Sequence, residues 1–226
     1  MIGKSILKVG IAAFVPALAA VLWPATVEAQ PVDYEYGIGW HEKAAKAGSA
    51  EAEYRLGRFH ETGVETAPDP VAARLWYRRA AEQGHALAQL RLAVLLHRGM
   101  GGPADLAEAI RWYDAAAVRG LPVAQYNLAI LLERGEGVEA DPLTAARLYD
   151  SAARAGVAAA ASQLAVMLIG GRGIAEDKVA ALAWLILAAD GGEPGAAKLR
   201  DKLSSELGTA ARRDAEARAA ALRPAD

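Results

Sequence analysis

The sequence predicts an all-α protein, an α-solenoid of antiparallel helix pairs built on a 36-residue repeat. Three observations predict it. Gly48, Gly84, Gly120, Gly156 and Gly192 stand 36 residues apart. Each closes the same short phrase, opened by Ala44-Ala45, Ala80-Ala81, Ala116-Ala117, Ala152-Ala153 and Ala188-Ala189. Alanine fills 55 of 226 positions, which favours helix and lets helix axes approach closely. A fixed period of this size marks stacked helical units rather than one globular core. Function then belongs to an extended surface rather than to a catalytic pocket.

Residues 1–29 read as a secretory signal. Lys4 and Lys8 give a positive start, and Val9 to Trp23 is a 15-residue apolar run interrupted by Pro16. Val27-Glu28-Ala29 offers small residues where a signal peptidase cuts. The alternative is an uncleaved anchor, against which the run counts by being short of the roughly 20 apolar residues that span a bilayer. The reading predicts a mature chain starting near Gln30, exported to the periplasm or secreted, with no stable membrane anchor after cleavage. Without Lys4, Lys8 and Glu28 the formal charge moves from −2 to −3 (−2 − 2 + 1). Such a balance lacks the basic stripe that nucleic acid requires. Cysteine is absent, so disulfides and thiolate metal sites are excluded, and packing alone must hold the fold.

A half unit occupies residues 33–51. Its Asp33, Trp40, Ala44-Ala45 and Gly48 stand one period ahead of Asp69, Trp76, Ala80-Ala81 and Gly84. Four units follow, at 52–87, 88–123, 124–159 and 160–195. In each, a first helix is expected to open at Ala52, Ala88, Ala124 or Ala160. Leu56, Leu92, Leu128 and Leu164 come four residues later, then Gly57, Ala93, Ala129 or Ala165. Phe59-His60, Leu95-Leu96, Leu131-Leu132 and Met167-Leu168 complete an i, i+4, i+7, i+8 apolar stripe. Gly63, Gly99, Gly135 and Gly171 close that helix. Asp69, Asp105, Asp141 and Asp177 then cap a second helix, with Pro70 and Pro142 at its first position and Asp105 with Glu108 as a capping box. Capping explains these four carboxylates better than a calcium ladder does.

The second helices carry Trp76-Tyr77, Trp112-Tyr113, Leu148-Tyr149 and Trp184-Leu185. Aromatics at one fixed register are expected to form the inter-repeat core, Trp76 and Trp112 included, rather than a ligand cage. Residues 196–226 are expected to be capping helices. Ala196-Ala197 opens a fifth first-type helix, and Ser205 to Leu222 leaves the pattern. Ile186 stands where Arg78, Asp114 and Asp150 stand, so the last unit needs a cover. Leu207, Ala211, Ala215 and Leu222 share the side that supplies it.

These registers resemble the Sel-one-like repeat family, a relative of the tetratricopeptide arrays. The third unit carries the family's phrase most fully: Ala124, Leu128, Gly135, Glu136-Gly137-Val138, Asp141, Ala145, Tyr149, Ala152-Ala153 and Gly156. Departures are Glu65 where Gly101, Gly137 and Gly173 stand, Leu148 for tryptophan, and His60 for tyrosine. The resemblance implies a right-handed superhelix with a concave face. It also implies an adaptor that assembles or regulates other proteins, as exported bacterial members do in the envelope. A cysteine-rich branch of the family is associated with β-lactam binding and hydrolysis. This chain has none of those cysteines, so that activity is not carried over.

No catalytic constellation stands out. His41, His60, His85 and His97 lack zinc-binding spacing, so no metal is expected. His60 reads as a packed residue and His85 as a solvated one after a helix-ending glycine. Gly99-Met100-Gly101-Gly102 and Gly170-Gly171-Arg172-Gly173 lack the lysine–serine pair of a phosphate loop and read as turns, so no cofactor is expected.

By tetratricopeptide analogy, the partner-binding groove is lined from the first helices by Tyr54, Arg58, Glu61, Leu90, Val94, His97, Tyr126, Ile130, Glu133, Ser162, Val166 and Ile169. Tyrosines, charges and aliphatics together suit a helix or an extended peptide. The alternative is plain solvated helix surface, against which exposed Ile130, Val166 and Ile169 would count. The expected function is a non-enzymatic scaffold for a protein or peptide partner. The alternative, a cell-wall glycan-binding protein or hydrolase, needs a carboxylate cluster, and Glu61 and Glu133 lie two repeats apart.

Overall fold

One turn recurs along the chain and sets the repeat. Gly48, Gly84, Gly120, Gly156 and Gly192 all take left-handed φ, between +76° and +90°. The residue after each glycine donates its N–H back to the first alanine of the phrase. The bonds are Ser49 to Ala44 (3.1 Å), His85 to Ala80 (3.0 Å), Leu121 to Ala116 (3.2 Å), Val157 to Ala152 (3.0 Å) and Glu193 to Ala188 (2.9 Å). This closure satisfies carbonyls that the end of a helix otherwise leaves open.

The structure, a computed structural model, describes residues 37–63 and 67–223. The expected signal segment 1–29, Gln30, Asp33 and Glu65 lie outside the described residues. Within them there are eleven α-helices and no strand. They are α1 (Ile38–Lys46), α2 (Ala50–Thr62), α3 (Pro70–Glu82), α4 (Ala86–Arg98), α5 (Leu106–Val118), α6 (Pro122–Arg134), α7 (Pro142–Arg154), α8 (Ala158–Gly170), α9 (Lys178–Asp190), α10 (Ala196–Glu206) and α11 (Thr209–Leu222). From α1 to α10 each helix packs on the next, and α11 packs back on α9, giving an α-solenoid of helix pairs.

The first helices begin two residues ahead of the alanines that the pattern marked, at Ala50, Ala86, Pro122 and Ala158. The glycine turn leaves the next residue extended, so the helix can start at once. Ser49 and His85 fill that cap position with side chains. Ser49 Oγ accepts from Ala52 N at 3.3 Å, and His85 Nδ1 accepts from Ala88 N at 3.2 Å. His85 is therefore not merely solvated. Its Nε2 also meets Glu51 Oε2 at 2.9 Å, and its ring stacks on Tyr54 at 4.6 Å.

Asp69, Asp105, Asp141 and Asp177 each cap a second helix through the side chain. Their own N–H groups donate to His60, Leu96, Leu132 and Leu168 in the last turn of the helix before. That bond displaces the reciprocal half of the expected capping box. With the Asp105 N–H engaged, the Glu108 carboxylate turns outward. It takes both bonds from Arg78 Nη2 (2.7 and 2.8 Å) and one from Trp112 Nε1 (3.1 Å). Glu108 thus joins α5 to α3. Burial raises its pKa, but these donors outweigh burial and hold it below the ordinary carboxylate value.

The core corrects the tryptophan assignment. Tyr77, Tyr113, Tyr149 and Leu185 are wholly buried, whereas Trp76 and Trp112 are half-exposed. The tyrosine, one residue on, is the one turned toward the first helix of its own unit. Tyr77 leans on Tyr54, with ring centroids 5.9 Å apart, and so closely on Gly57 that a Cβ there would lie 2.5 Å from its ring. Among the described tryptophans only Trp184, in the last unit, is buried, where the terminal helices join the core. Ala215 and Ala219 of α11 are buried, Leu207 and Leu222 pack at the rim, and Ala211 is half-buried. Arg218 pairs with Asp177 (3.2 Å) and Arg223 with Asp190 (2.6 Å), which ties α11 to both ends of α9.

Loop glycines set the distance between units. A Cβ on Gly101 would lie 2.1 Å from the Pro70 carbonyl oxygen, and one on Gly173 2.5 Å from that of Pro142. In both places the loop of one unit rests on the start of the previous second helix.

Two comparisons test this account by chemical denaturation. Tyr113→Ala should cost about 3–5 kcal/mol, as for any large buried aromatic, and Trp112→Ala clearly less. Equal losses would return the tryptophan to the core. Gly101→Ala should destabilise more than Gly120→Ala. Both glycines have positive φ, but only Gly101 meets backbone; nothing lies within 4 Å of a Cβ on Gly120.

Candidate partner-binding face

The twelve groove positions lie on α2, α4, α6 and α8, and the structure turns many of them inward. Tyr54, Arg58, Leu90, Val94, Tyr126 and Ile130 are buried; Glu61, His97, Glu133, Ser162, Val166 and Ile169 are half-buried. Ile130 is thus not an exposed apolar residue. With Tyr126 it joins the core that runs through α7, α8 and α9. Spacing does not show how tightly the next pair of helices closes over these positions.

The buried part of this face is organised around the tyrosines of the second helices. Tyr77 Oη donates to Glu61 Oε2 at 2.5 Å, and Arg91 Nη1 lies 3.3 Å from Glu61 Oε1. Tyr149 Oη donates to Glu133 Oε2 at 2.9 Å, and Arg172 Nη2 lies 2.7 Å from Glu133 Oε1. Burial, then the neighbouring glutamate charge, pushes both phenols well above their usual pKa, so both stay protonated donors. Each glutamate therefore lies between a phenol and a guanidinium, and these contacts hold the face together. Sequence reasoning missed this role, although the separation of 16 residues in both Glu61–Tyr77 and Glu133–Tyr149 was visible.

Openness differs along the array. From Ala88 to Leu96, α4 is buried at every position. On α6 only Gln125 interrupts a buried stretch from Val123 to Leu131. On α8, by contrast, Ser162, Val166 and Ile169 stay half-buried at i, i+4 and i+7, with Gln163 and Leu168 beside them. Val166 and Ile169 thus keep an apolar stripe partly open to solvent. Among the described residues no group of three His, Asp or Glu could hold a metal ion. No described helix is long and apolar enough to cross a membrane.

The Sel1 repeat sequence pattern matches residues 28–49, 50–85, 86–120, 122–157 and 158–193. The chain belongs to the Sel1 repeat family. Two solved structures agree. A protective antigen of uropathogenic Escherichia coli with an SLR fold superposes with a TM-score of 0.68 at 34% identity, over 71% of this chain and 34% of that one. A Sel1 repeat protein from Oxalobacter formigenes gives a TM-score of 0.67 at 34% identity, over 72% of this chain and 67% of that one. This Sel1 chain therefore spans about a third of the length of the first. No curated protein matches it. Sel1 repeats are generally protein-interaction modules and typically non-catalytic scaffolds.

The tyrosine–glutamate pair has a direct test. Glu133→Ala leaves Tyr149 Oη buried without its acceptor and should cost about 1–3 kcal/mol. Adding Tyr149→Phe removes the stranded donor and should recover part of that loss in a double-mutant cycle read by denaturation. Strict additivity would show that the bond is not coupled to stability.

Proposed function

We propose that this Sel1 repeat chain is an exported, non-enzymatic scaffold that binds a protein or peptide partner on its first helices, as an adaptor or regulator in the bacterial cell envelope. The carrying observation is that Ser162 and Val166 on α8 are half-buried where the corresponding Leu90, Val94, Tyr126 and Ile130 of α4 and α6 are buried, and Ile169 continues the apolar stripe. An apolar stripe at this spacing suits an amphipathic helix or an extended segment. The family's general use in protein interaction supports the reading. Export rests on the signal-like segment at 1–29. Glu61 and Glu133 give no support to a glycan hydrolase, because each is engaged by a tyrosine and an arginine of its own array.

A photoreactive side chain at position 166, in cells that make the protein, should yield a specific protein adduct, with Val118 as an exposed control position. Val166→Asp should lower capture of that adduct's protein at least tenfold with the helical signal unchanged. An adduct at 118 and none at 166 would place the partner elsewhere. N-terminal sequencing of the periplasmic fraction should find Gln30 or a near neighbour; a retained Met1 in the membrane pellet would overturn export.

A further inference from the structure

The same three positions recur in every unit: one near the end of the first helix, one on the second helix and one on the following first helix. In unit one they hold Glu61, Tyr77 and Arg91, and the carboxylate is bonded by the phenol and paired with the guanidinium. In unit three they hold Glu133, Tyr149 and Gln163, and Arg172 supplies the cation instead. In unit four they hold Ile169, Leu185 and Leu199, so the whole set is aliphatic. The array therefore makes this set polar with a carboxylate at its centre, or wholly apolar. Both solutions avoid stranding a buried polar group.

Unit two does neither. Its positions hold His97, Tyr113 and Asn127. Tyr113 is 0% exposed and Asn127 1%. Tyr113 Oη, His97 Nδ1, and both Asn127 Oδ1 and Nδ2 are buried without a hydrogen-bond partner among the described residues. The His97 and Tyr113 rings meet edge to face at 6.2 Å and form no hydrogen bond. Buried polar groups nearly always have partners, so four unmatched atoms at three aligned positions point to something outside the chain. The donors present are a phenol O–H, an amide NH₂ and an imidazole N–H. In the sister units the phenol at this register donates to a carboxylate. Arg98 adds positive charge near both His97 and Tyr113, opposed at His97 by Glu136. His97, half-buried on the last turn of α4, is the member that reaches solvent.

We propose that unit two binds a carboxylate from outside the chain, the side chain of a glutamate or aspartate on a protein partner, received by Tyr113 Oη and Asn127 Nδ2 beside His97. The bound carboxylate takes the place that Glu61 and Glu133 fill in units one and three. It completes donors that the fold already holds, and its entry requires the half-buried His97 side chain to move aside. The slot follows from the repeat geometry alone; that its occupant belongs to a bound protein rests on the groove reading.

The test uses the full chain and the probe N-acetyl-glutamate N-methylamide, followed by NMR of the histidine and tyrosine rings. The His97 and Tyr113 signals should move saturably with this probe and stay fixed with its glutamine counterpart. Tyr113→Phe should weaken binding about tenfold, the size of one good hydrogen bond to a charged group. His97→Glu restores an internal carboxylate, so it should raise the melting temperature and abolish probe binding. Equal shifts from both probes, or none from either, overturn the slot, as does undiminished binding to His97→Glu. Binding of N-acetyl-alanine, which presents a chain-terminal carboxylate, without binding of the glutamate probe overturns the side-chain assignment. A chain that takes the glutamate probe but gives no adduct from position 166 keeps the slot and loses the groove reading. An adduct without probe binding does the reverse.

Discussion

The tyrosine one residue after the tryptophan position packs between the two helices of units one to three. Its ring is wholly buried in units one to three, where it fills the space between the two helices. A buried phenol without an acceptor is costly, so its hydroxyl calls for one. In units one and three that acceptor is a glutamate sixteen residues earlier, and the glutamate in turn engages an arginine. Packing and polarity are thus solved by one linked set of side chains. In unit four leucine replaces the tyrosine, and isoleucine stands where the glutamate stood. The correlation between positions within one chain is what that physical constraint requires.

Small residues make this arrangement possible. Alanines of the repeated phrase are buried along every second helix, so the helices lie close. Gly57 yields space to Tyr77, and Gly101 and Gly173 let a loop rest on the preceding unit. Close packing has a consequence for function. It buries Leu90, Val94, Tyr126 and Ile130 on α4 and α6, while Ser162 and Val166 at the same register of α8 stay half-buried. The proposed partner recognition then rests on two features of unequal kind: an apolar stripe on α8, and donors in unit two that the described residues do not satisfy.

The ends of the array obey the same requirement. An apolar second helix, α9, faces the point where the repeat stops, and α10 and α11 cover it. The cover uses alanines for close approach and two arginine–aspartate pairs for placement. The exposed pairs contribute little energy on their own, but they fix the direction of α11 across α9.

The sequence by itself determined the repeat, the helical class, the aspartate caps and the family, because period, alanine content and left-handed glycines are local properties of the chain. It also marked Leu207, Ala211, Ala215 and Leu222 as the inward side of the terminal segment, of which Ala215 is buried and the others half-buried, and it missed the buried Ala219. Only the tertiary structure decided which of two adjacent aromatics is buried. Trp112 and Tyr113 are both plausible core residues in sequence, and the choice depends on a rotation of about 100° between helix neighbours relative to the packed helix. It also decided that Tyr126 and Ile130 face a core rather than a groove, since that depends on how far the next helix pair leans over α6. Glu108 shows the same limit. Its capping spacing was legible, but Arg78, thirty residues away, claimed its carboxylate. Period and propensity act within a helix or a turn, whereas burial and pairing depend on elements that the fold alone brings together.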